Sequence, residues 1–310
     1  MRDEARDEAE AAESPTPSDE VRTNETDVAY ALPVEESPRP RVAFQGEPGA
    51  FSEEAIWDLF GEGGAISVAC PTFRAAFDSL GAGDTDYALC PVENSYAGSV
   101  HDVYDLLLGA PWAVIQREVV HPVHHLLLAA PGVALSDVRR AYSHPQALMQ
   151  CAPFLREKGI EPVAVQDTAG AARRVAEERP HDAAAVAGSG AMRRYGLNAL
   201  AIDIEATPDN STRFWLLARE AGAVEGNTKA SVVLWLAHRP GALAECLDVL
   251  ATRGMNLTKI ESRPSREGRW EYVFYLDFEA GTETAIHQAL AHLKRRSTRV
   301  RLLGIYAPNL

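Results

Sequence analysis

Short apolar segments of strand length alternate with amphipathic helical segments along most of the chain. Between residues 41 and 220 this alternation predicts an α/β domain in which most strands pair in parallel. We treat this stretch as one unit with room for two lobes around a cleft. The expected strands are at 42–44, 66–69, 87–90, 112–116, 126–130, 141–142, 162–165, 183–187 and 214–218, and the expected helices at 52–60, 73–80, 99–108, 143–155, 168–178 and 189–195.

Three serines are predicted to cap helix N-termini. Ser52 precedes two acidic residues, and Ser99 and Ser143 each open a capping-box pattern. Because a helix N-terminus presents unpaired N–H groups, several such starts around one cleft would also suit a dianion. Ordinary capping is the simpler interpretation of each start taken alone.

A different pattern follows residue 220. Residues 221–228 are small and polar and predict a linker. Beyond them, the expected order is a strand at 230–237, a helix at 241–253, strands at 257–263 and 270–278, a helix at 282–295 and a strand at 300–306. This βαββαβ order is ferredoxin-like, so we expect a second, smaller domain at residues 229–308.

Charge and composition narrow the classes of function. The chain has 44 acidic and 30 basic side chains and a formal net charge of −14. Such a chain lacks the basic face that nucleic acids and anionic membranes need, and no apolar run has the roughly 20 residues of a membrane span. We therefore expect no nucleic-acid or membrane partner. The four cysteines show neither zinc-ligand spacing nor a disulfide pattern, and no metal is expected.

The first 40 residues are set apart by their composition. They hold twelve acidic residues, four arginines and five prolines, without a hydrophobic period. This predicts a disordered acidic tail at residues 1–40. The segment lacks the apolar core of a secretory signal and is too acidic for an organelle transit peptide, so the expected location is the cytoplasm.

Two polar segments carry candidate chemistry. Asn94 and Ser95 follow a buried strand, where α/β folds place ligand-binding loops. Thr212 and Arg213 precede another strand; Thr212 can donate a hydrogen bond or proton, and Arg213 can pair with a carboxylate. From spacing alone, a structural loop is the more ordinary interpretation of either segment.

Other chemistry has little support in the sequence. There is no nucleophile elbow, no P-loop and no dinucleotide-binding motif. His121, His124 and His125 lie close together, but no nearby acidic residue shows metal-ligand spacing. For these histidines we expect polar contacts at the entrance of a strand.

Six motifs together resemble a known family. In order and spacing they resemble prephenate dehydratase with a C-terminal ACT domain, over about residues 41–308. The motifs are AFQGEPGAFSEEA (43–55), CPVENSYAGSVHDVYDLLL (90–108), YSHPQALMQC (142–151), NSTRFWLLAR (210–219), GALAECLDVL (241–250) and NLTKIESRP (256–264).

The resemblance implies a fold and a reaction. The fold is a two-lobed catalytic domain similar to type 2 periplasmic binding proteins, followed by a ferredoxin-like βαββαβ ACT domain. The reaction is the decarboxylating dehydration of prephenate to phenylpyruvate, without a cofactor or metal. The family's catalytic threonine falls on Thr212, which we expect to act as general acid at the leaving hydroxyl, with Arg213 nearby to polarise it or to hold the pyruvyl carboxylate.

Further site residues follow from the same resemblance. The expected substrate-binding residues are Asn94, Ser95, Ser143, Gln150, Arg213 and Phe214. His125 matches the family's recurrent histidine. The expected effector is L-phenylalanine, bound where ACT domains pair, which implies a homodimer or homotetramer. The expected effector-binding residues are Gly241, Ala242, Leu243, Ala244, Asn256, Glu261, Ser262, Arg263 and Pro264.

Two other functions stay open at this point. An arogenate dehydratase would form L-phenylalanine directly, from a substrate with an α-amino group in place of the keto group. A non-catalytic amino-acid sensor would bind a ligand in the cleft without turnover. The intact Thr212–Arg213–Phe214 segment argues against the sensor.

Overall fold

The computed structural model describes residues 38–222, 226–265, 268 and 271–308. Most of the predicted acidic tail and residues 223–225 of the predicted linker lie outside the described residues. Among the described helices, none is long and apolar enough to cross a membrane.

The first lobe is a mixed sheet with helices on both faces. Its strand order is β2-β1-β3-β11-β5, with the short strand β4 paired to β3. Strands β2 and β3 run parallel to β1, whereas β11 runs antiparallel to β3 and β5. The elements are β1 (Arg41–Gln45), α1 (Phe51–Phe60), β2 (Ile66–Cys70), α2 (Phe73–Ala82), β3 (Tyr87–Asn94), β4 (Gly98–Ser99), α3 (His101–Gly109), β5 (Val114–Pro122) and β11 (Ser211–Ala218).

The second lobe is a sheet between two helical layers. Its strand order is β10-β6-β9-β7-β8. Small residues of β9 and helix α6 pack on one face, and helices α4 and α5 cover the other. The elements are β6 (Leu126–Ala129), a 3₁₀ turn (Leu135–Asp137), β7 (Arg140–Ser143), α4 (Pro145–Gln150), α5 (Ala152–Glu157), β8 (Glu161–Ala164), α6 (Thr168–Glu178), β9 (Ala183–Ala187), α7 (Ser189–Tyr195) and β10 (Asn198–Ala201).

The chain crosses between the lobes twice, from β5 to β6 and from β10 back to β11. The expectation of two α/β lobes is confirmed, but that of mostly parallel pairing is wrong. The returning strand β11 enters the middle of the first sheet against the direction of its neighbours, and β6 runs antiparallel to β9 and β10. Because the strands beside these two crossings run antiparallel to their neighbours, both sheets are mixed.

The third sheet has the expected βαββαβ connectivity. Its order is β13-β14-β12-β15, and all three strand pairs are antiparallel. Helices α8 and α9 pack on one face of this sheet. The elements are β12 (Lys229–Trp235), α8 (Ala242–Ala251), β13 (Asn256–Pro264), β14 (Tyr272–Glu279), α9 (Glu283–Arg296) and β15 (Arg299–Tyr306).

The other face of the third sheet packs directly against the first lobe. Tyr275 and Tyr306 belong to the same buried cluster as Tyr104 and Trp215 of the first lobe. The rings of Tyr104 and Tyr275 meet edge-on with centroids 4.9 Å apart. The two domains thus share one hydrophobic core, which ion pairs such as Lys259–Glu93 and Arg263–Asp105 accompany.

None of the three predicted serine caps is formed. Helix α1 starts at Phe51, so Ser52 lies inside it, and α3 starts two residues after Ser99. At α4 the N-cap is His144, whose side chain accepts from the backbone of Gln146. The hydroxyls of Ser99 and Ser143 bond to Glu261 and to the Val186 carbonyl instead. These distant acceptors became available only on folding, which local sequence patterns do not reveal.

Candidate active site

Thr212 and Asn94 lie directly opposite each other on β11 and β3. The Asn94 Nδ2 donates to Thr212 Oγ1 at 3.0 Å and to the carbonyl of Ser211 at 3.1 Å. Because the Thr212 oxygen accepts from Asn94, its own proton stays available for another acceptor. The pair therefore presents an oriented O–H donor at the end of β3.

The Asn94 side chain is held on both sides. Its Oδ1 accepts from the backbone N–H groups of Tyr96 at 3.0 Å and Ala97 at 2.9 Å, as in an Asx turn. Its Nδ2 also donates to Asn210 Oδ1 at 2.8 Å. These contacts fix the amide that orients Thr212.

A chain of amides continues into the second lobe. Asn210 Nδ2 donates to Gln150 Oε1 at 3.3 Å, and His125 Nε2 lies 2.8 Å from the same oxygen. Since an amide oxygen only accepts, the His125 proton sits on Nε2. Thr212, Asn94, Asn210, Gln150 and His125 thus form one hydrogen-bonded group that spans both lobes; we call it the polar chain.

His125 is a neutral member of the polar chain. Burial lowers the pKa of His125 below its ordinary value, and the opposing effects of Gln150 and Glu205 do not offset it. The edge of Phe51 packs against its ring, with centroids 5.5 Å apart. Its Nδ1 is buried without a hydrogen-bond partner among the described residues. A neutral imidazole here can orient Gln150 without adding positive charge.

A pocket of about 240 Å³ opens beside the polar chain. Tyr96 and Met149 form an exposed apolar rim, with 56% and 66% of their surface accessible. The lining residues are Tyr96, Met149, Gln150, Pro153, Glu205, Ala206, Thr207 and Asn210. An apolar wall with a few convergent amides is typical of a site for a small organic ligand.

Arg213 does not join the polar chain. Successive strand residues point to opposite faces, so Arg213 turns away from Thr212. Its guanidinium lies 3.5 Å from Glu93, 3.8 Å from Glu118 and 3.9 Å from Asp277, at the interface with the third sheet. The expectation that Arg213 polarises Thr212 or holds a substrate carboxylate is corrected by this geometry.

Phe214, Ser95 and Ser143 have structural partners in this conformation. Phe214 is buried in the core beneath α1, which corrects the expected substrate contact. Ser95 Oγ accepts from Ser211 N at 3.0 Å and so ties the loop after β3 to β11. Ser143 is fully buried, and its hydroxyl donates to the Val186 carbonyl at 2.6 Å. No hydrogen bond among the described residues connects Ser143 with the polar chain.

A second contact between the lobes centres on Glu54 of α1. Its carboxylate accepts from Gly190 N at 2.6 Å and from the Ser189 hydroxyl at 3.1 Å, both in α7. His121 Nε2 lies 3.6 Å from Glu54, and His121 Nδ1 lies 2.6 Å from Asp58. Burial opposes both charges, yet these contacts keep the pKa of Glu54 below and that of His121 above their ordinary values.

His124 lies beside two acidic residues that are distant in sequence. Its Nδ1 is 3.2 Å from Asp203 and 3.1 Å from Glu205. The three ligand-type atoms lie within 4.8 Å of one another. These are hydrogen-bonding distances, and Glu205 also accepts from the His125 backbone at 2.9 Å. The contacts among the described residues account for the cluster without an ion.

The sequence pointed to most of the polar chain but not to Asn210. The feature that could have indicated Asn210 is its position at the start of the NSTRF segment, two residues before Thr212. Glu54 carried no signal, because a glutamate in the first turn of a helix is ordinary. Only the approach of α7 makes Glu54 a contact between the lobes.

The first expected effector segment opens α8. Gly241 is the N-cap with a φ of +83°, a conformation that favours glycine. Ala242 and Leu243 line a pocket of about 150 Å³ together with Tyr272 and Phe274 of β14. Ala244 is exposed on the same helix.

The second expected segment lies on β13. Ser262 and Pro264 are exposed and pair in register with Phe274 and Tyr272, so β14 lies between the two segments. Asn256 is exposed at the start of β13. Glu261 and Arg263 turn to the first lobe instead, where Glu261 accepts from Ser99 and Arg263 pairs with Asp105 at 2.9 Å.

Fold and site together define a two-lobed α/β enzyme with a βαββαβ domain packed behind its polar chain. The family model for prephenate dehydratase matches residues 42–222, and that for the ACT domain matches residues 230–295. The chain belongs to the prephenate dehydratase family and is a dehydratase, a carbon–oxygen lyase.

Similar proteins carry related activities. The arogenate dehydratase/prephenate dehydratase 2 of Arabidopsis thaliana is 44% identical, over 86% of this chain and 73% of its own. A prephenate dehydratase from Arthrobacter aurescens in complex with L-Phe is 35% identical, with a TM-score of 0.78 over 86% of this chain and 90% of its own. GqqA, described as a quorum-quenching acylase, is 33% identical, with a TM-score of 0.79 over 87% of this chain and 98% of its own.

Proposed function

We propose that the enzyme converts prephenate to phenylpyruvate, CO2 and water. The observation that carries the proposal is the Thr212 hydroxyl, held by Asn94 with its proton free, within a polar chain that spans both lobes. A reaction driven by aromatisation needs an oriented donor more than a strong base.

The proposed reaction assigns roles to Thr212 and Asn94 of the polar chain. The bond between the ring and its carboxylate breaks, CO2 leaves, and that electron pair enters the ring as the C–O bond to the hydroxyl breaks. Thr212 donates its proton to the departing hydroxyl, which leaves as water, and the threonine oxygen then takes up a proton from solvent. Asn94 Nδ2, at 3.0 Å, stabilises the negative charge that grows on the threonine oxygen.

The neutral surroundings favour loss of CO2. The polar chain consists of amides, one hydroxyl and a neutral imidazole, and Arg213 points away from it. A carboxylate placed beside such groups is held less tightly than it would be by a guanidinium. Gln150 Oε1 is fixed by His125 and Asn210, so the Gln150 Nε2 is the donor that we assign to a substrate carboxylate.

We further propose that L-phenylalanine binds at the ACT domain of this enzyme and inhibits it. Support comes from the related enzyme described with L-Phe and from the two expected effector segments. Ser262 and Pro264 are exposed on the edge strand β13, as a site completed by a second ACT domain requires. A homodimer or homotetramer follows from this proposal.

Arogenate is the competing substrate, because the plant relative is described with both activities. The test is to measure turnover of prephenate and of arogenate side by side, with and without L-phenylalanine. We expect phenylpyruvate from prephenate, suppressed by L-phenylalanine. Turnover of arogenate alone would change the assigned substrate from prephenate to arogenate. Turnover of neither compound would overturn the proposed reaction.

A further inference from the structure

A continuous series of charged and hydroxyl groups connects the third sheet with the active-site strands. Ser99 Oγ donates to Glu261 Oε2 at 2.6 Å and accepts from Lys259 Nζ at 3.3 Å. Lys259 Nζ lies 3.1 Å from Glu93, and Glu93 lies 3.5 Å from Arg213. We call these five residues the interface relay. It starts at an expected effector residue and ends beside the catalytic threonine.

The end of the relay bears directly on the catalytic pair. Glu93 and Arg213 face each other across β3 and β11, one position along from Asn94 and Thr212. The register between the two strands shifts immediately after Arg213. A bulge re-aims the side chains beside it, and this one lies one residue from Thr212, next to the contact between Glu93 and Arg213.

Arg213 is shared among carboxylates instead of being fixed by one. Its three acidic neighbours lie at 3.5 to 3.9 Å, longer than the roughly 2.8 Å of a tight charge-assisted hydrogen bond. Its Nη1 and the Asp277 Oδ2 are both buried without a hydrogen bond among the described residues. A small change at Glu93 therefore shifts the balance of forces on Arg213.

Burial makes the middle of the relay sensitive. The Lys259 side chain is only 5% exposed, and its ammonium lies 5.6 Å from the centre of the Tyr104 ring. A charge in such surroundings is costly when a partner moves away. Displacement of Glu261 is therefore expected to reach Glu93 through Ser99 and the buried ammonium of Lys259.

We propose that Ser99 and Lys259 are positioning residues that couple the effector site of the ACT domain to Thr212. The proposal rests on the proposed function, a dehydratase inhibited by L-phenylalanine. An effector that binds one position of Glu261 better than another shifts the Glu93–Arg213 pair, and with it the Asn94–Thr212 hydrogen bond.

Anchoring of the two domains does not explain the relay. Arg301 donates to the carbonyls of Leu107, Ala110 and Ala113, and Tyr275 donates to the carbonyl of Tyr104 at 2.8 Å. These hydrogen bonds hold the same two surfaces together, and their acceptors are backbone carbonyls outside the relay. They supply a matched control for the relay.

The test compares single hydroxyl deletions across this interface. Ser99→Ala removes a relay hydroxyl, Ser99→Thr retains one, and Tyr275→Phe removes an interface hydroxyl outside the relay. For each full-length variant, turnover is measured with and without saturating L-phenylalanine, and binding of L-phenylalanine is followed by the shift in thermal midpoint. Ser99→Ala should still bind L-phenylalanine, but its inhibition factor should fall at least fivefold. Ser99→Thr and Tyr275→Phe should keep the wild-type factor.

The other possible results show whether the relay, the effector assignment or the proposed function is wrong. Wild-type inhibition in Ser99→Ala, or an equal loss in Tyr275→Phe, overturns the relay and leaves the proposed function in place. Turnover by the wild type without inhibition overturns the effector assignment and the relay together. Absence of turnover in the wild type overturns the proposed function itself.

Discussion

At the scale of the residue, the chemistry of the site depends on which polar atoms of its neutral side chains already form hydrogen bonds within the protein. Asn94 uses both ends of its amide, and Gln150 uses its oxygen twice. The donors that stay available include the hydroxyl proton of Thr212 and the amide nitrogen of Gln150. The hydrogen bonds within the protein thus decide which groups of the site can donate a hydrogen bond to a ligand.

Removal of the Thr212 hydroxyl tests this reasoning. Thr212→Ala should lower kcat by ~10²–10³, the usual effect of losing one preorganised donor. Thr212→Ser should recover most of the rate, since it keeps the oxygen that Asn94 contacts. Steady-state turnover and near-ultraviolet circular dichroism measure activity and fold.

Ser211→Ala is the neighbouring control for that series. Ser211 contacts Asn94 and Ser95 through its backbone, so loss of its hydroxyl should leave turnover within about threefold of wild type. Near-normal turnover in Thr212→Ala would contradict the assignment.

At the scale of the element, close approach of two strands joins the domains. A Cβ on Gly304 of β15 would lie 2.3 Å from the carbonyl oxygen of Ile115 in β5. Real Cβ atoms do not tolerate that distance from backbone, so glycine is required there. The space between the two sheets is set by backbone and not by adjustable side chains.

Gly304→Ala should therefore destabilise the protein by about 1 to 3 kcal/mol, or more, as overpacking of a filled core does. Denaturant unfolding measures this, with Gly281→Ala as control, since a Cβ on Gly281 has no neighbour within 4 Å. Equal stability of the two variants would show that the strands can separate freely.

At the scale of the whole molecule, a buried acid lies in the shared core between the first lobe and the third sheet. Asp277 is 1% exposed, and its carboxylate accepts from Ser231 at 2.6 Å. Burial raises the pKa of Asp277 to about 6, although Ser231, Lys229 and Arg213 act to lower it. The folded state therefore binds this proton more tightly than the unfolded state does.

The sign of the pH dependence follows from linkage. A raised pKa of an acid gives stability that is full below its unfolded pKa, near 4, and is lost as pH rises through about 6. Relative to Asp277→Asn, the wild type should lose about 1 to 2 kcal/mol of unfolding free energy between pH 5 and pH 7.5. Urea unfolding of both proteins across this range checks it, and parallel curves would contradict it.

Periodicity and motif order by themselves determined most of the elements, the two lobes, the βαββαβ unit and the family. These properties follow from local spacing, which a single chain displays. Strands β4 and β10 were not expected, and the single helix expected at 143–155 is two helices, α4 and α5. The sequence also singled out Thr212, Asn94 and Gln150 as candidates, and the structure brings all three into one hydrogen-bonded group, while their roles stay predictions.

Tertiary structure decided which candidates belong together. Thr212 and Arg213 are adjacent in sequence, but the alternation of β11 sends them to opposite faces, one to the polar chain and one to the interface relay. Ser99 and Ser143, predicted as caps, donate hydrogen bonds to acceptors in distant segments. His124 lies within hydrogen-bonding distance of acidic residues about 80 positions further along the chain. Hydrogen bonds and ion pairs form between whatever groups folding brings within about 3 Å, and no local pattern records that distance.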